Sequence, residues 1–316
     1  MRASSPESNR APKGGWQINP APAPVGGEKA ESGVQRGGMI RGAKTALSGR
    51  PGRRVTGVQT FAILGVSEKG DVMAIEERRD WFFPALALAI SLTAFTGFAF
   101  TYLGPLAAGT YAPVSWAVHA HGIVYLAWCA LLPVQATLAR RAFAVHRVLG
   151  LCSLALVAAM GFFGFLVIGV KVQAALAGEG PAFWKSFGVP VAAGLVLFLG
   201  FYAAALLNRG RPEWHKRLMI SAAATVIAAG TWRLWVAGFG FNDWAMPAAI
   251  ATTKLFIVAG MIHDFATRRS VHPAWWVGLG VSVVVEGASL MVAGTPMEAP
   301  IAQAIASFAD VFGWMY

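Results

Sequence analysis

The sequence predicts an all-α membrane protein, a polytopic bundle of about seven transmembrane helices with its N-terminus inside and its C-terminus outside. Three observations lead there. Hydrophobic residues make up 56% of the 316-residue chain and charged residues 13%, with a mean hydropathy of +0.55. Soluble domains carry about 25% charged residues, so this much apolar material points to lipid as solvent. The apolar residues fall in long runs, and the cations between those runs gather on alternate loops.

Residues 1–60 are rich in Gly, Pro, Ala, Ser and Arg and carry no hydrophobic period. Such a stretch buries too little surface to offset its chain entropy, which predicts disorder. It does not read as a signal peptide, because no apolar run follows the early charges. Phe61 to Val66 is too short to span. Met73 opens Met-Ala-Ile-Glu-Glu-Arg-Arg-Asp-Trp-Phe-Phe, which has the form of a natural start just before a membrane helix. The preceding Glu68-Lys69-Gly70-Asp71 can be encoded by a purine-rich stretch like a ribosome-binding site. Two expectations follow for residues 1–72: a disordered basic segment, or an upstream extension of a chain that starts at Met73. Residues 73–316 form the membrane domain in either case.

A span needs about 20 mostly apolar residues. The runs that qualify are 81–103, 115–138, 148–170, 189–207, 218–238, 246–266 and 274–294. None shows the period-2 alternation of a barrel strand, and the backbone in lipid must satisfy its own hydrogen bonds, so these are helices. Trp81, Trp116, Trp184, Trp214, Trp244, Trp275 and Trp276 fall near the span ends, as an aromatic belt would. Pro133 and Pro190 lie within spans as points of kinking. Beyond Gly294, the stripe Ile301, Ile305, Phe308 and Phe312 predicts an amphipathic helix along the outer interface, with packing on the bundle as the alternative.

Charge fixes the orientation. Residues 1–72 hold eleven Lys+Arg against five Asp+Glu, and residues 73–316 fifteen against ten, giving the net +11 as +6 and +5. Arg140, Arg141, Arg147, Arg209, Arg211, Lys216, Arg217, Arg268 and Arg269 all fall on the side of Arg78 and Arg79, whereas the opposite loops hold Lys171 and Lys185. The Arg-rich side is therefore cytoplasmic, and the chain belongs in a bacterial cytoplasmic (inner) membrane with the lipid bilayer as its first partner. This basic charge sets topology and does not predict nucleic-acid binding. Cys129 and Cys152 lie in apolar runs and are too few for a disulfide framework.

The polar residues form two groups by depth. His146, His215 and His272 open helices on the Arg-rich side, and His263-Asp264 closes one. Such residues snorkel or cap helix ends, bind a metal, or ligate haem. For b-type haem, the pair at matched depth is His146 with His215. No His-x-x-x-His spacing on one helix supports a metal site, so none is assigned. The outer group is His119, His121, Tyr125, Arg233, Lys254 and Glu286. Ionisable residues inside a span cost roughly 2.5–3.5 kcal/mol each, so they face the bundle or a wet cavity. The expectation is an outward-opening cavity lined by all six. Glu286 pairs with Arg233 there, and Lys254 or the histidines remain for a small anionic or carbonyl-bearing ligand.

Several motifs stand out: His119-Ala-His121, His146-Arg-Val-Leu-Gly150, Pro212-Glu-Trp-His215-Lys-Arg-Leu-Met219 with Arg233, His263-Asp264, Val271-His-Pro273 and Gly294-Thr-Pro296. From about residue 81 onward the chain resembles a group of bacterial "predicted membrane proteins" of unknown function, whose members often have Tyr-Asp in place of His263-Asp264. The resemblance implies a multi-pass fold. Within the chain, a basic helix end followed by His-Arg or His-Lys occurs twice, at His146 and His215, an echo of a duplicated helix pair. No phosphate-cradling glycine loop and no Ser–His–Asp arrangement is present. The expected function is a haem- or quinone-associated redox membrane protein. The alternative is a transporter or sensor that binds a small solute or lipid. A metal-dependent membrane hydrolase of the ceramidase kind ranks last, since its spacings are missing.

Overall fold

The computed structural model describes residues 80–316, and the expectations for residues 1–72 lie outside that range. The described chain is helical, with no strand among the described residues. Its elements are α1 (Phe82–Phe98), α2 (Gly104–Ala107), α3 (Trp116–Arg141), α4 (Phe143–Ala177), α5 (Trp184–Leu207), α6 (Pro212–Val226), α7 (Ala228–Phe239), α8 (Ala245–Arg268), α9 (Pro273–Leu290) and α10 (Glu298–Phe312). Six helical stretches are long and apolar enough to cross a membrane: α1 continued through α2, then α3, α4, α5, α8 and α9. α6 and α7 together make up a further stretch of that length, bent by 44°. The described residues are thus all-helical, with six or seven helices long and apolar enough to cross a membrane.

Local chemistry explains most boundaries. Ser115 accepts a hydrogen bond from the Ala117 N–H and so caps α3. Pro133 sits inside α3, and Thr137 Oγ1 donates to the Pro133 carbonyl. α4 runs for 35 residues, about 50 Å at 1.5 Å per residue, so it extends beyond the run 148–170 at both ends. It stops at Gly178, whose φ of 79° a side chain would resist. Pro212 and Pro273 occupy first-turn positions of α6 and α9, where their missing N–H is no loss.

Three expectations change. The run 218–238 is not one straight helix: it breaks at Ile227. No proline causes this. Thr225 Oγ1 donates to the Ala222 carbonyl and Thr231 Oγ1 to Ala228 and Ala249, so side-chain hydroxyls compete for backbone acceptors on both sides of the break. Within the first span, residues Ala99–Leu103 wind as a π-helix, which rotates Thr101 and Tyr102 relative to α1. Finally, α10 packs against α4 and α5 with Ala302, Ala306 and Ala309 buried, and Phe308 and Phe312 contact Phe162. The small-residue stripe, not the Ile/Phe stripe, makes the close approach.

The helices meet where side chains are small. A Cβ on Gly97 would lie 2.2 Å from the Gly230 carbonyl oxygen, so α1 and α7 cross backbone to backbone. A Cβ on Gly260 would lie 2.1 Å from the Trp275 ring. Trp275 is fully buried there and is not part of an interfacial belt, whereas Trp81, Trp116, Trp244 and Trp276 are exposed. Both cysteines are free, Cys129 buried and Cys152 exposed.

Candidate functional site

At the Arg-rich end, α4 and α6 begin side by side and bring His146 and His215 together, ring centres 6.3 Å apart and rings perpendicular. Each ring is held the same way. His146 Nδ1 lies 3.1 Å from the Gln135 carbonyl oxygen, and His215 Nδ1 lies 2.8 Å from that of Ala205. A carbonyl only accepts, so each Nδ1 carries the proton and each Nε2 keeps a lone pair. The two contacts reach back 11 and 10 residues, into the helix before, which gives the sequence echo a structural counterpart. Phe143 stacks on His146. Phe143, Val145 and Val148 are exposed and apolar, a surface on which a flat apolar ring system could rest.

A second arrangement at the same end was not legible as a site. Arg217 reads as a loop cation in the sequence, yet its side chain is fully buried and forms an ion pair with the equally buried Asp264. Its Nε donates to Asp264 Oδ2 at 2.9 Å, and one terminal nitrogen donates to the Glu213 carbonyl at 2.9 Å and to Glu213 Oε2 at 2.5 Å. Lys216 and Arg268 also contact Glu213. Asp264 Oδ2 further accepts the His272 backbone N–H. His272 Nδ1 accepts from the Ala274 N–H and so caps α9. Burial, and then the Arg217 charge, hold His272 below its ordinary value of 6.5. His263 stacks on Phe82 at 3.9 Å and lies 3.5 Å from Asp80. This cluster ties α6, α8 and α9 together.

The six outer residues divide among different partners. Lys254 on α8 pairs with Glu286 on α9, with 8% and 1% of their surfaces exposed, and Lys254 Nζ also reaches Thr253 Oγ1 at 3.2 Å. This corrects the expected Arg233–Glu286 pair. The reason is the azimuth of α7. Thr231 and Trp235, one turn apart, face α8, where they bond Ala249 and Thr252, while Arg233 leaves the helix on the other side toward α1. His121 and Tyr125 stack at 4.3 Å, and their polar atoms meet the Phe163 and Met160 carbonyls of α4. These two side chains pack against α4, and the Tyr125 hydroxyl would lie 2.3 Å from a Cβ placed on Gly164.

Arg233 keeps different company. Its Nε donates to Thr101 Oγ1 at 2.9 Å and one terminal nitrogen donates to the Ala229 carbonyl at 2.8 Å. Its guanidinium lies 4.2 Å from the Phe98 ring centre. Among the described residues it has no carboxylate partner. Tyr102 is buried, with its hydroxyl 3.0 Å from His119 Nδ1. Tyr111 packs edge-on to Tyr102 at 5.2 Å and within 6.0 Å of His119. Burial, with Tyr102 next in weight, raises Tyr111 above its ordinary 10, and the opposing pull of Arg233 does not reverse this. Tyr111 is therefore a neutral phenol and not the counter-ion of Arg233.

No known family, curated protein or solved structure matches the chain. Among the described residues there is no group of three or more His, Cys, Asp or Glu side chains that could hold a metal ion.

Proposed function

We propose that this chain is a haem-associated redox protein of the bacterial inner membrane, with its Arg-rich end in the cytoplasm and b-type haem held between His146 and His215. The observation that carries the reading is the geometry of that pair. A metal held between two opposed imidazole nitrogens at about 2.0–2.1 Å from each puts the ring centres roughly 6 Å apart. The pair measures 6.3 Å. A bent arrangement around a tetrahedral ion would draw the rings closer, and among the described residues no third ligand joins the pair. Nδ1 of each ring is fixed by a carbonyl, as metal-binding histidines commonly are, which aims and strengthens Nε2. The haem would supply one-electron chemistry, and the chain supplies its axial ligands and an apolar surface at Phe143, Val145 and Val148.

A reduced-minus-oxidised spectrum of protein from a haem-replete host tests this. The expected result is a b-type Soret and α-band that is lost in both His146→Ala and His215→Ala. Colourless wild-type protein, or a band that survives both substitutions, overturns it.

A second reading has its own support. The break at Ile227 and the buried Lys254–Glu286 pair are features of membrane proteins that move or sense small solutes, where interrupted helices and intramembrane charges mark the path. A quinone-associated role would share the redox reading but lacks a comparable observation here.

A further inference from the structure

We infer that Arg233, with Tyr102, Tyr111 and His119, forms a binding site for one oxyanion, the carboxylate or phosphate group of a ligand, at the end of the bundle opposite the Arg-rich loops. Neither reading above assigns these residues to a common site, and a colourless protein would leave the inference standing. Arginine keeps its charge in proteins, so a guanidinium held among aromatic rings calls for an anion. Nothing among the described residues supplies it. Carboxylates of the same half of the chain have other partners: Glu286 is committed to Lys254, Glu298 to Ser186 and the Gly294 N–H, and Asp310 to Gln173.

The neighbours are suited to the task. Arg233 spends one terminal nitrogen on Ala229 and Nε on Thr101, which fixes the plane of its fork while its other terminal nitrogen has no acceptor among the described residues. The Tyr102 hydroxyl and His119 Nδ1 share a hydrogen bond, which leaves Nε2 as the ring nitrogen able to meet a ligand. Tyr111 adds a neutral hydroxyl. One fixed cation plus neutral donors matches a ligand with a single negative charge. Phe98 and Trp232 give that ligand an aromatic wall, 4.2 and 5.9 Å from the guanidinium. The arrangement depends on two local departures from ordinary helix. The π-helix Ala99–Leu103 turns Thr101 toward Arg233 and Tyr102 toward α3. Gly122 makes room for Tyr102, since a Cβ there would lie 3.1 Å from its ring. π-helical insertions of this kind recur at functional sites.

The test uses the full chain in an uncharged detergent. Benzoate and inorganic phosphate are titrated by calorimetry, and phosphatidylglycerol binding is followed by native mass spectrometry. Saturable binding is expected. Arg233→Gln should weaken it by about ten- to a hundredfold, the range for losing a hydrogen bond to a charged group. Tyr102→Phe should weaken it by about two- to tenfold, as for a neutral hydrogen bond. Arg269→Asn, which removes an exposed cation at the other end, should leave it unchanged. Benzoate or phosphate binding with these losses assigns the site to a free anion. Phosphatidylglycerol binding alone, with the same losses, assigns the oxyanion to a lipid headgroup. Folded wild-type protein that binds none of the three overturns the inference, as does undiminished binding by Arg233→Gln. Should Arg233→Gln fail to fold, undiminished binding by Tyr102→Phe overturns it instead.

Discussion

Replacing Asp264 by Asn probes the buried knot at the Arg-rich end. Both Asp264 and Arg217 are wholly buried, and the carboxylate accepts two guanidinium hydrogen bonds and the His272 N–H. The amide keeps one acceptor oxygen but turns an NH2 toward a guanidinium N–H, and it carries no charge. Arg217 then keeps Glu213 as its carboxylate partner, which Lys216 and Arg268 also contact. Breaking a buried pair by removing one partner costs about 3–5 kcal/mol, because the other charge stays buried. Glu213 still holds Arg217, so the lower end, about 3 kcal/mol, is expected. Removing both charges is different: Arg217→Met with Asp264→Leu leaves no buried charge unpaired, and only the His272 N–H loses its acceptor, so the double variant should cost about 1 kcal/mol. Denaturation in mixed micelles, followed by the fluorescence of the twelve tryptophans, reports both values. An Asp264→Asn protein as stable as the wild type, or a double variant no better than either single one, would refute the reasoning.

Two further predictions use the same assay. Gly97→Ala places a methyl group 2.2 Å from the Gly230 carbonyl, so α1 and α7 must separate, at a cost of about 1–3 kcal/mol for overpacking; Gly200→Ala, which meets nothing within 4 Å, should be neutral, and equal costs at the two sites would sink the close-approach argument. The pH dependence follows from His272, whose folded value lies below the 6.5 of the free side chain. The unfolded chain then binds the proton more tightly, so stability holds above about pH 6.5 and declines as pH falls below it, when protonation also removes the Nδ1 cap on α9. His272→Asn keeps a capping acceptor and should flatten that acid limb; an unchanged pH profile contradicts the assignment.

Hydrophobic length is a property of the chain read one residue at a time, and it was legible. Runs of about 20 apolar residues produce helices in lipid whatever their neighbours, because the backbone has no other way to satisfy its hydrogen bonds. The sequence also marked His146 and His215 as a pair, because each follows a basic helix end at matched depth. Partnership across helices was not legible. Depth alone put Arg233 level with Glu286, but which faces meet depends on the rotation of each helix, and the break at Ile227 sets that rotation for α7. The same holds for Arg217. A cation one turn into a helix looks like any topology-setting charge until α8 delivers Asp264, 47 residues away, against it. The close glycine contacts and the π-turn that carries Thr101 and Tyr102 are likewise products of packing. The sequence by itself determined which stretches are long and apolar enough to cross a membrane, since transfer into lipid depends on composition. Only the tertiary structure decided which buried charges neutralise one another and that Arg233 has no carboxylate partner among the described residues, since that depends on distances between residues the chain keeps far apart.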